Sequence, residues 1–577
     1  MDEVICDVLV VGGSLGGVAA VLRASLLGAN VVLLAESDWI GGQLTSQGVS
    51  TPDENPWLAR DMMGGTASYL YFRQRVRDYY RSHFALSAKG RRANPFCPGD
   101  CTVNNGTLSM EPRVGMQILR DFLARPNVTI FPQTAAVSAE MQGDTVSAII
   151  AQSGGIAKRF TAPVVLDATD LGDLLPLTGA QGTDWVVGAE SRADTGEPDA
   201  LAVADPRALQ PFTFPFVLER RPVGERHVIP RPADYAALKQ QQNYRVIDGD
   251  IHTVFGAGET LWAYRRIIAA ANFQPAAFPH DLSQINMDSN DFKGGVIPTL
   301  NPVADRATLA RARQASLGYL YWLQTECPRD ENPAKHGYPE LMPRGDLFGT
   351  PDGLAPAPYI RESRRILALR RVVEQDVAAG FGGPRATLFP DSCGIGWYGI
   401  DIHDGPQLRT RPFQIPLGAL VPRRLTNLLA ACKNLGVTHL TSGCYRVHPV
   451  EWNIGESAGA LAAFCVANGV APRQVAEDRA TQRAFQKTLL AAGIPLFWWP
   501  DVSNDHPAFA AAHLLALEGI FEGDETLNFR PDDTLAPDER QGLAQSVSQW
   551  AGRTFSLPAR PLTRGEAAVS VAQTLGF

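Results

Sequence analysis

The chain has 577 residues, 45% of them hydrophobic and 19% charged, which excludes a disordered tail protein and allows two to four domains. Fifty-two basic against 60 acidic residues give a net charge of −8, so there is no basic excess to release phosphate counterions and nucleic acid is not an expected partner. The longest apolar runs, Val8–Val11 and Val31–Ala35, fall far short of the roughly 20 residues that cross a bilayer. The opening Met-Asp-Glu has neither a basic nor an apolar leader, so a cytoplasmic protein is expected.

The first element is the most informative. Val8–Val11 reads as a short strand buried on both faces, and a turn follows with Gly12, Gly13, Ser14, Gly16 and Gly17. A helix then runs to Gly28, and Asn30 to Ala35 forms a second strand that ends on the acid Glu36. In such a unit Gly12 makes the tight turn, Gly17 lets the helix pack on the strand, and Glu36 stands where it can reach a ribose hydroxyl. Ser14 replaces the middle glycine of the usual G-x-G-x-x-G and is small enough for backbone to approach a pyrophosphate. Gly41-Gly42 follows the acid closely, and a double glycine there lets backbone pass beside a flat ring system.

Cys97 and Cys101 form a lone Cys-x-x-x-Cys in a Pro/Gly loop, read as plain thiols or a local disulfide because no companion ligand pair has zinc spacing, with redox or metal chemistry as the lesser alternative. Two strands around Val128–Val137 and Thr145–Ala151 flank the hairpin signal Gly143-Asp144. Val164 to Asp167 returns a buried strand that ends in Asp167-Ala168-Thr169-Asp170. Near the far end, Gly455-Glu456-Ser457-Ala458-Gly459 reads as the N-terminus of a small-residue helix, a dipole site for an anion or a flavin carbonyl. There is no second strand–turn–helix unit with a terminal acid, so a separate NAD(P)H domain is not expected.

The Gly12–Gly17 turn, Gly41-Gly42, Asp167–Asp170 and Gly455–Gly459, in this order, resemble the FAD-dependent oxidoreductases of the glutathione-reductase-like superfamily; fumarate reductase flavoproteins and tricarballylate dehydrogenase are more distantly similar. Tyr359-Ile-Arg-Glu-Ser-Arg-Arg-Ile, Asp401-Ile-His and Cys444-Tyr-Arg-Val-His-Pro resemble one branch of that family. The resemblance runs from about Val4 to Pro500. It implies an α/β fold with a Rossmann-type FAD-binding domain, a parallel sheet and a β-meander, formed by residues 1–175 and 410–470. An inserted α+β substrate domain (176–409), a linker helix (471–500) and a small helical appendage (501–577) complete the expected organisation.

The resemblance further implies that Gly12, Gly13, Ser14, Gly16 and Gly17 hold the pyrophosphate of FAD and Glu36 its ribose. Gly41, Gly42, Gln43 and Leu44 run beside the ring, and Val137 meets the adenine by backbone. Asp167, Ala168 and Thr169 line the pyrophosphate, and Gly455, Glu456, Ser457 and Ala458 the flavin end. Arg361, His403, His439, Arg446 and His448 are the candidates for catalysis, because hydride removal beside a hydroxyl or amine wants a near-neutral base and arginine clamps anions. His439 and Arg446 lead that set, since they precede the expected flavin-capping helix. Arg364 and Arg365 read as structural bridges.

The implied function is FAD-dependent hydride transfer with a small polar substrate: an alcohol, hydroxy acid, amine or sugar-like compound. Electrons would pass on to dioxygen, a quinone or another acceptor. The stretch 501–523 and Leu562-Thr-Arg-Gly-Glu resemble S-layer-homology repeats, which anchor proteins to cell-wall polysaccharide. Barely more than one unit is present, so a packed appendage is expected rather than an anchor. The alternatives are a surface-tethered carbohydrate-binding protein with a vestigial flavin fold, and a flavin monooxygenase.

Overall fold

The computed structural model describes residues 2–59, 63–103, 108–381, 383–521 and 526–577. Short aliphatic runs buried at every position build its centre: β1 (Val8–Val11), β2 (Val31–Leu34) and β4 (Val164–Asp167). β3 (Val128–Phe131) and β5 (Leu428–Ala430) complete a five-stranded parallel sheet in the order β5-β4-β1-β2-β3. Val10 stands level with Leu33 on one side and Leu166 on the other. α1 (Leu15–Leu26) connects β1 to β2 as the sequence pattern requires, and the chain is an α/β protein of Rossmann type.

The long helix α2 (His448–Asn468) packs across α1. A Cβ on Gly455 would overlap the carbonyl oxygen of Gly16, and one on Gly459 that of Ala20, so glycine sets the closeness of the crossing. This corrects the expectation for Gly455. α2 begins at His448, with Pro449 in its first turn, and Gly455 lies about two turns inside. Glu456 pairs with Arg23 of α1 and accepts from Ser68 Oγ at 2.8 Å. Ser457 Oγ donates to the Cys393 carbonyl at 2.6 Å, and Ala458 is fully buried. Gly455, Glu456, Ser457 and Ala458 therefore seal a helix seam and do not form a helix N-terminus.

The expected meander is a four-stranded sheet in which Ala135–Gln142 is the edge strand. Its register slips between Ala136 and Ser138, which puts Val137 on a bulge at that edge. A second, antiparallel sheet joins Phe216–Arg220, Arg266–Ile268, Leu282–Ile285 and Leu341–Pro343. The helix Pro302–Thr325 packs on it, and the two share an apolar core whose members run from Phe212 to Ile360. At the 409/410 boundary an antiparallel pair, Ser392–Gly396 with Phe413–Pro416, bridges the expected substrate and FAD domains.

The expected linker is two helices, Pro472–Glu477 and Arg479–Ala491. The tail helices Phe509–Leu517, Pro537–Ala551 and Arg564–Leu575 pack beside them. His513 Nδ1 accepts from the Phe497 amide at 3.1 Å, and Lys487 Nζ donates to the Gly576 carbonyl at 3.1 Å. Leu514 and Val571 belong to the same apolar core as the parallel sheet. Residues 522 and 523, the end of the S-layer-like stretch, lie outside the described residues. Among the described residues no helix is long and apolar enough to cross a membrane.

Candidate active site

At the tip of β1 the backbone of Gly12 is left-handed (φ 113°), and a Cβ there would overlap the Ala168 carbonyl at the tip of β4. Ser14 caps α1, its Oγ accepting from the Gly17 amide at 3.0 Å. A Cβ on Gly42 would stand 3.0 Å from the Leu15 nitrogen, so the second glycine pair lies directly on the start of α1. Glu36 is exposed at the tip of β2. Desolvation by the surrounding protein, then the charges of Asp173, Asp170 and Asp167, push its carboxyl up to about 7. Burial likewise pushes Asp167 up to about 7, against donation from Thr169 Oγ1 at 2.7 Å and the Leu174 amide at 3.2 Å. Asp167 and Thr169 thus close their own turn.

Gln43 Nε2 donates to the Arg446 carbonyl at 3.0 Å and to Glu451 at 2.5 Å, whereas its Oε1 is buried without a partner. Leu44 beside it is fully buried. Glu451, which sequence reasoning missed, also accepts from the Gly16 amide at 3.0 Å and from Lys433 Nζ at 3.2 Å. An acid in the first turn of α2 was the available signal.

Four of the five catalytic candidates divide between two cavities. The more polar one, about 640 Å³, is lined by Tyr264, Arg265, Tyr359, Arg361, Tyr398, His403 and Arg446, together with several aspartates. Each of its arginines has a carboxylate: Arg265 with Asp53 at 2.9 Å, Arg361 with Asp291 at 2.9 Å, Arg446 with Asp401 at 2.8 Å and Arg245 with Asp288 at 2.9 Å. The Nε–H groups of Arg265, Arg361 and Arg446 are buried without partners. Arg446 Nη1 donates to the Tyr359 hydroxyl at 3.1 Å. Burial opposes the Asp53 carboxylate, but Arg265, His448 and Arg446 outweigh it and hold its pKa below the ordinary value.

His403 lines this cavity with Nδ1 at 2.8 Å from Asp291 Oδ2 and Nε2 at 3.6 Å from Asp401 Oδ2. Burial and Arg361 disfavour its protonation, yet the two aspartates prevail and raise its pKa above the ordinary value. Asp288, Asp291 and His403 bring ligand-type atoms together, but Arg245, Lys293 and Arg361 already neutralise the two carboxylates. That donor set suits ion pairs rather than a metal.

His439 is elsewhere. It lines the second cavity, about 600 Å³, with Leu201, Leu209, Phe292, Val296, Ile402 and Leu440, and only His403, Asp404 and Gly405 line both spaces. Its Nδ1 lies 3.0 Å from both oxygens of Glu362, which raise its pKa against burial. His448 lines neither cavity. Its Nδ1 accepts from the Asp53 amide and its Nε2 donates to the Val49 carbonyl, both at 3.0 Å, and burial drives its pKa down to about 4. With both nitrogens engaged it positions the loop at Val49 and Asp53, a correction to its place among the catalytic candidates. Arg365 is a buried bridge to Glu190 and Glu362, and Arg364 pairs with Asp173.

A parallel sheet with a glycine turn at β1 and an acid at the tip of β2 define a Rossmann-type dinucleotide-binding fold. The chain belongs to the FAD dependent oxidoreductase family, whose model matches residues 7–489. No curated protein matches the sequence. Among solved structures, L-proline dehydrogenase from P. horikoshii is 15% identical over 33% of this chain and 25% of its own, with a TM-score of 0.17. The chain thus spans about a quarter of that protein. The myxobacterial chondrochloren halogenase is 11% identical (95% and 90% covered, TM-score 0.34), and E. coli quinol fumarate reductase 10% (99% and 86%, TM-score 0.29). Likenesses this remote carry no argument about substrate.

FAD is the cofactor of the family. The residues fit it: the start of α1 carries backbone amides beyond those of Gly16 and Gly17, which Glu451 and Ser14 take, Glu36 stands at the tip of β2, and Gln43 Oε1 is a buried acceptor that lacks a donor.

Proposed function

We propose that the protein oxidises a carbinol carbon of a small polyhydroxylated substrate, such as a polyol or sugar, to the carbonyl, or reduces that carbonyl to the carbinol, in the polar cavity. The observation that carries this reading is the charge balance of the cavity wall. Arg245, Arg265, Arg361 and Arg446 are each already paired with an aspartate, so no uncompensated positive charge is left for a substrate carboxylate. What remains along the wall is carboxylate oxygens and the hydroxyls of Tyr264, Tyr359 and Tyr398. Interleaved donors and acceptors match vicinal hydroxyls, each of which both gives and accepts hydrogen bonds.

FAD, when bound, supplies the hydride acceptor or donor. In the oxidative direction His403 Nε2 takes the proton of the substrate hydroxyl. Asp291, at Nδ1, fixes the ring, and Asp401 stabilises the imidazolium that forms. Arg446 links this chemistry to the cofactor side, because its backbone carbonyl holds Gln43 while its guanidinium lines the cavity. The test is anaerobic bleaching of the yellow flavin by substrate panels. Polyols or aldoses should bleach it; bleaching by amines or simple hydroxy acids alone would overturn the assignment.

A further inference from the structure

Cys97 and Cys101 take no part in the chemistry above, yet they lie one layer behind the polar cavity. Both are buried, at 2% and 3% exposure, four residues apart in one small cluster with Val103, and Cys101 Sγ donates to the Leu108 carbonyl at 3.8 Å. Cys97 Sγ also contacts Ser109 Oγ at 3.4 Å, and that hydroxyl accepts from the Gly99 amide at 2.8 Å. Tyr264, a wall of the cavity, packs over the pair.

The loop that carries them is laced to the segment bearing Tyr264 and Arg265. Arg266 Nε donates to the Gly99 carbonyl at 2.7 Å, the Thr102 amide to the Ala263 carbonyl at 3.0 Å, and the Ala269 amide to the Pro98 carbonyl at 2.9 Å. A Cβ on Gly99 would overlap the Arg266 carbonyl, so loop and strand cannot move independently.

We propose that Cys97 and Cys101 form a reversible disulfide that resets Tyr264 and Arg265 in the wall of the substrate cavity. The oxidant is hydrogen peroxide. The Cys97 thiolate attacks one peroxide oxygen, breaking the O–O bond to leave a sulfenic acid, and the departing hydroxide takes the thiol proton as water. Cys101 sulfur then attacks Cys97 sulfur, the S–S bond forms and a second water leaves; two thiols are oxidised and one peroxide is reduced to two waters. The roles are set by the partners of each thiol. Cys101 Sγ donates to the Leu108 carbonyl and so keeps its proton, while the neighbouring Cys101 thiol, then Ser109 and the Gly99 amide, pull the Cys97 thiol down to about 7 against burial; Cys97 is therefore the attacking sulfur and Cys101 the resolving one. Contraction from two thiols bonded to separate partners to an S–S bond of about 2.05 Å must shorten the loop.

The FAD-loaded full chain, reduced and then exposed to peroxide, is alkylated and mapped at all eight cysteines. The expected result is joint loss of the Cys97 and Cys101 thiols in one cross-linked peptide, reversed by dithiothreitol. Hydrogen–deuterium exchange across 263–269 should shift on oxidation in the wild type and stay unchanged in Cys101→Ser. Neither readout needs a substrate. Free Cys97 and Cys101 after peroxide, a Cys97 sulfinate without cross-link, or a cross-link that leaves exchange across 263–269 unaltered would each overturn the proposal.

Discussion

The two cavities that meet at His403 are nearly equal in volume, about 640 and about 600 Å³, yet their walls differ in kind. On one side four Arg–Asp pairs and three tyrosines present fixed donors and acceptors. On the other Leu201, Leu209, Phe292, Val296, Ile402 and Leu440 share the wall with Glu190, Glu197, Asp199, Arg207 and Lys293, and His439 is turned onto Glu362. Size therefore does not distinguish a reaction chamber from its neighbour. Orientation does: His403 has one carboxylate at each ring nitrogen, whereas His439 has a single carboxylate on a single nitrogen.

The comparison is broken most directly by exchanging the two histidines' fates. His403→Ala should slow anaerobic flavin reduction by about 10²- to 10⁴-fold while FAD stays bound. His439→Ala should slow it far less; the reverse order in stopped-flow traces would move the chemistry to the second cavity. Next in size is Arg446→Lys, which loses the fork that spans Tyr359 and Asp401. It should raise KM by about 10- to 100-fold with FAD content unchanged, measured by steady-state titration with the bleaching substrate. Smallest is Asp291→Asn, which sharpens the contrast through pH. His403 works as a base when neutral, and its pKa stands above the ordinary value because of Asp291 and Asp401. The wild-type rate should therefore rise with pH through that elevated pKa. Asp291→Asn should move the rising limb to lower pH and lower the plateau about tenfold through loss of ring orientation. An unmoved limb would detach Asp291 from the titrating group.

Much of the cofactor half was legible because local signals agree there. The β1–α1–β2 unit and Glu36 follow from a buried aliphatic run, a glycine turn and a terminal acid, all within 8–36. Gly455 was misread because small residues mark both a helix N-terminus and a close helix crossing; Pro449 in the first turn was the better marker. The polar cavity was legible only in part. Arg361, His403 and Arg446 sit in motif-like clusters, but Asp53, Tyr264, Arg265 and Asp291 are isolated in sequence and meet only through the second sheet and its loops. No periodicity reports such a meeting. His448 looked equivalent to its neighbours in sequence, and only burial shows that both its nitrogens are spent on backbone.

The distance along the chain between the two sides of the α1–α2 seam has a consequence for biosynthesis. β1, α1, β2, β3 and β4 are all complete by Asp167, but β5 starts at Leu428 and α2 ends at Asn468. On a ribosome adding about 5–20 residues per second, the nascent sheet waits on the order of tens of seconds with one edge unpaired and the small-residue face of α1 bare. During that interval the segment with its own apolar core, Phe212 to Ile360, emerges and can consolidate first. A chain terminated before residue 468 should thus carry the whole glycine turn and Glu36 yet lack the support that shapes them, leaving a partly built nucleotide pocket with an open sheet edge exposed to aggregation.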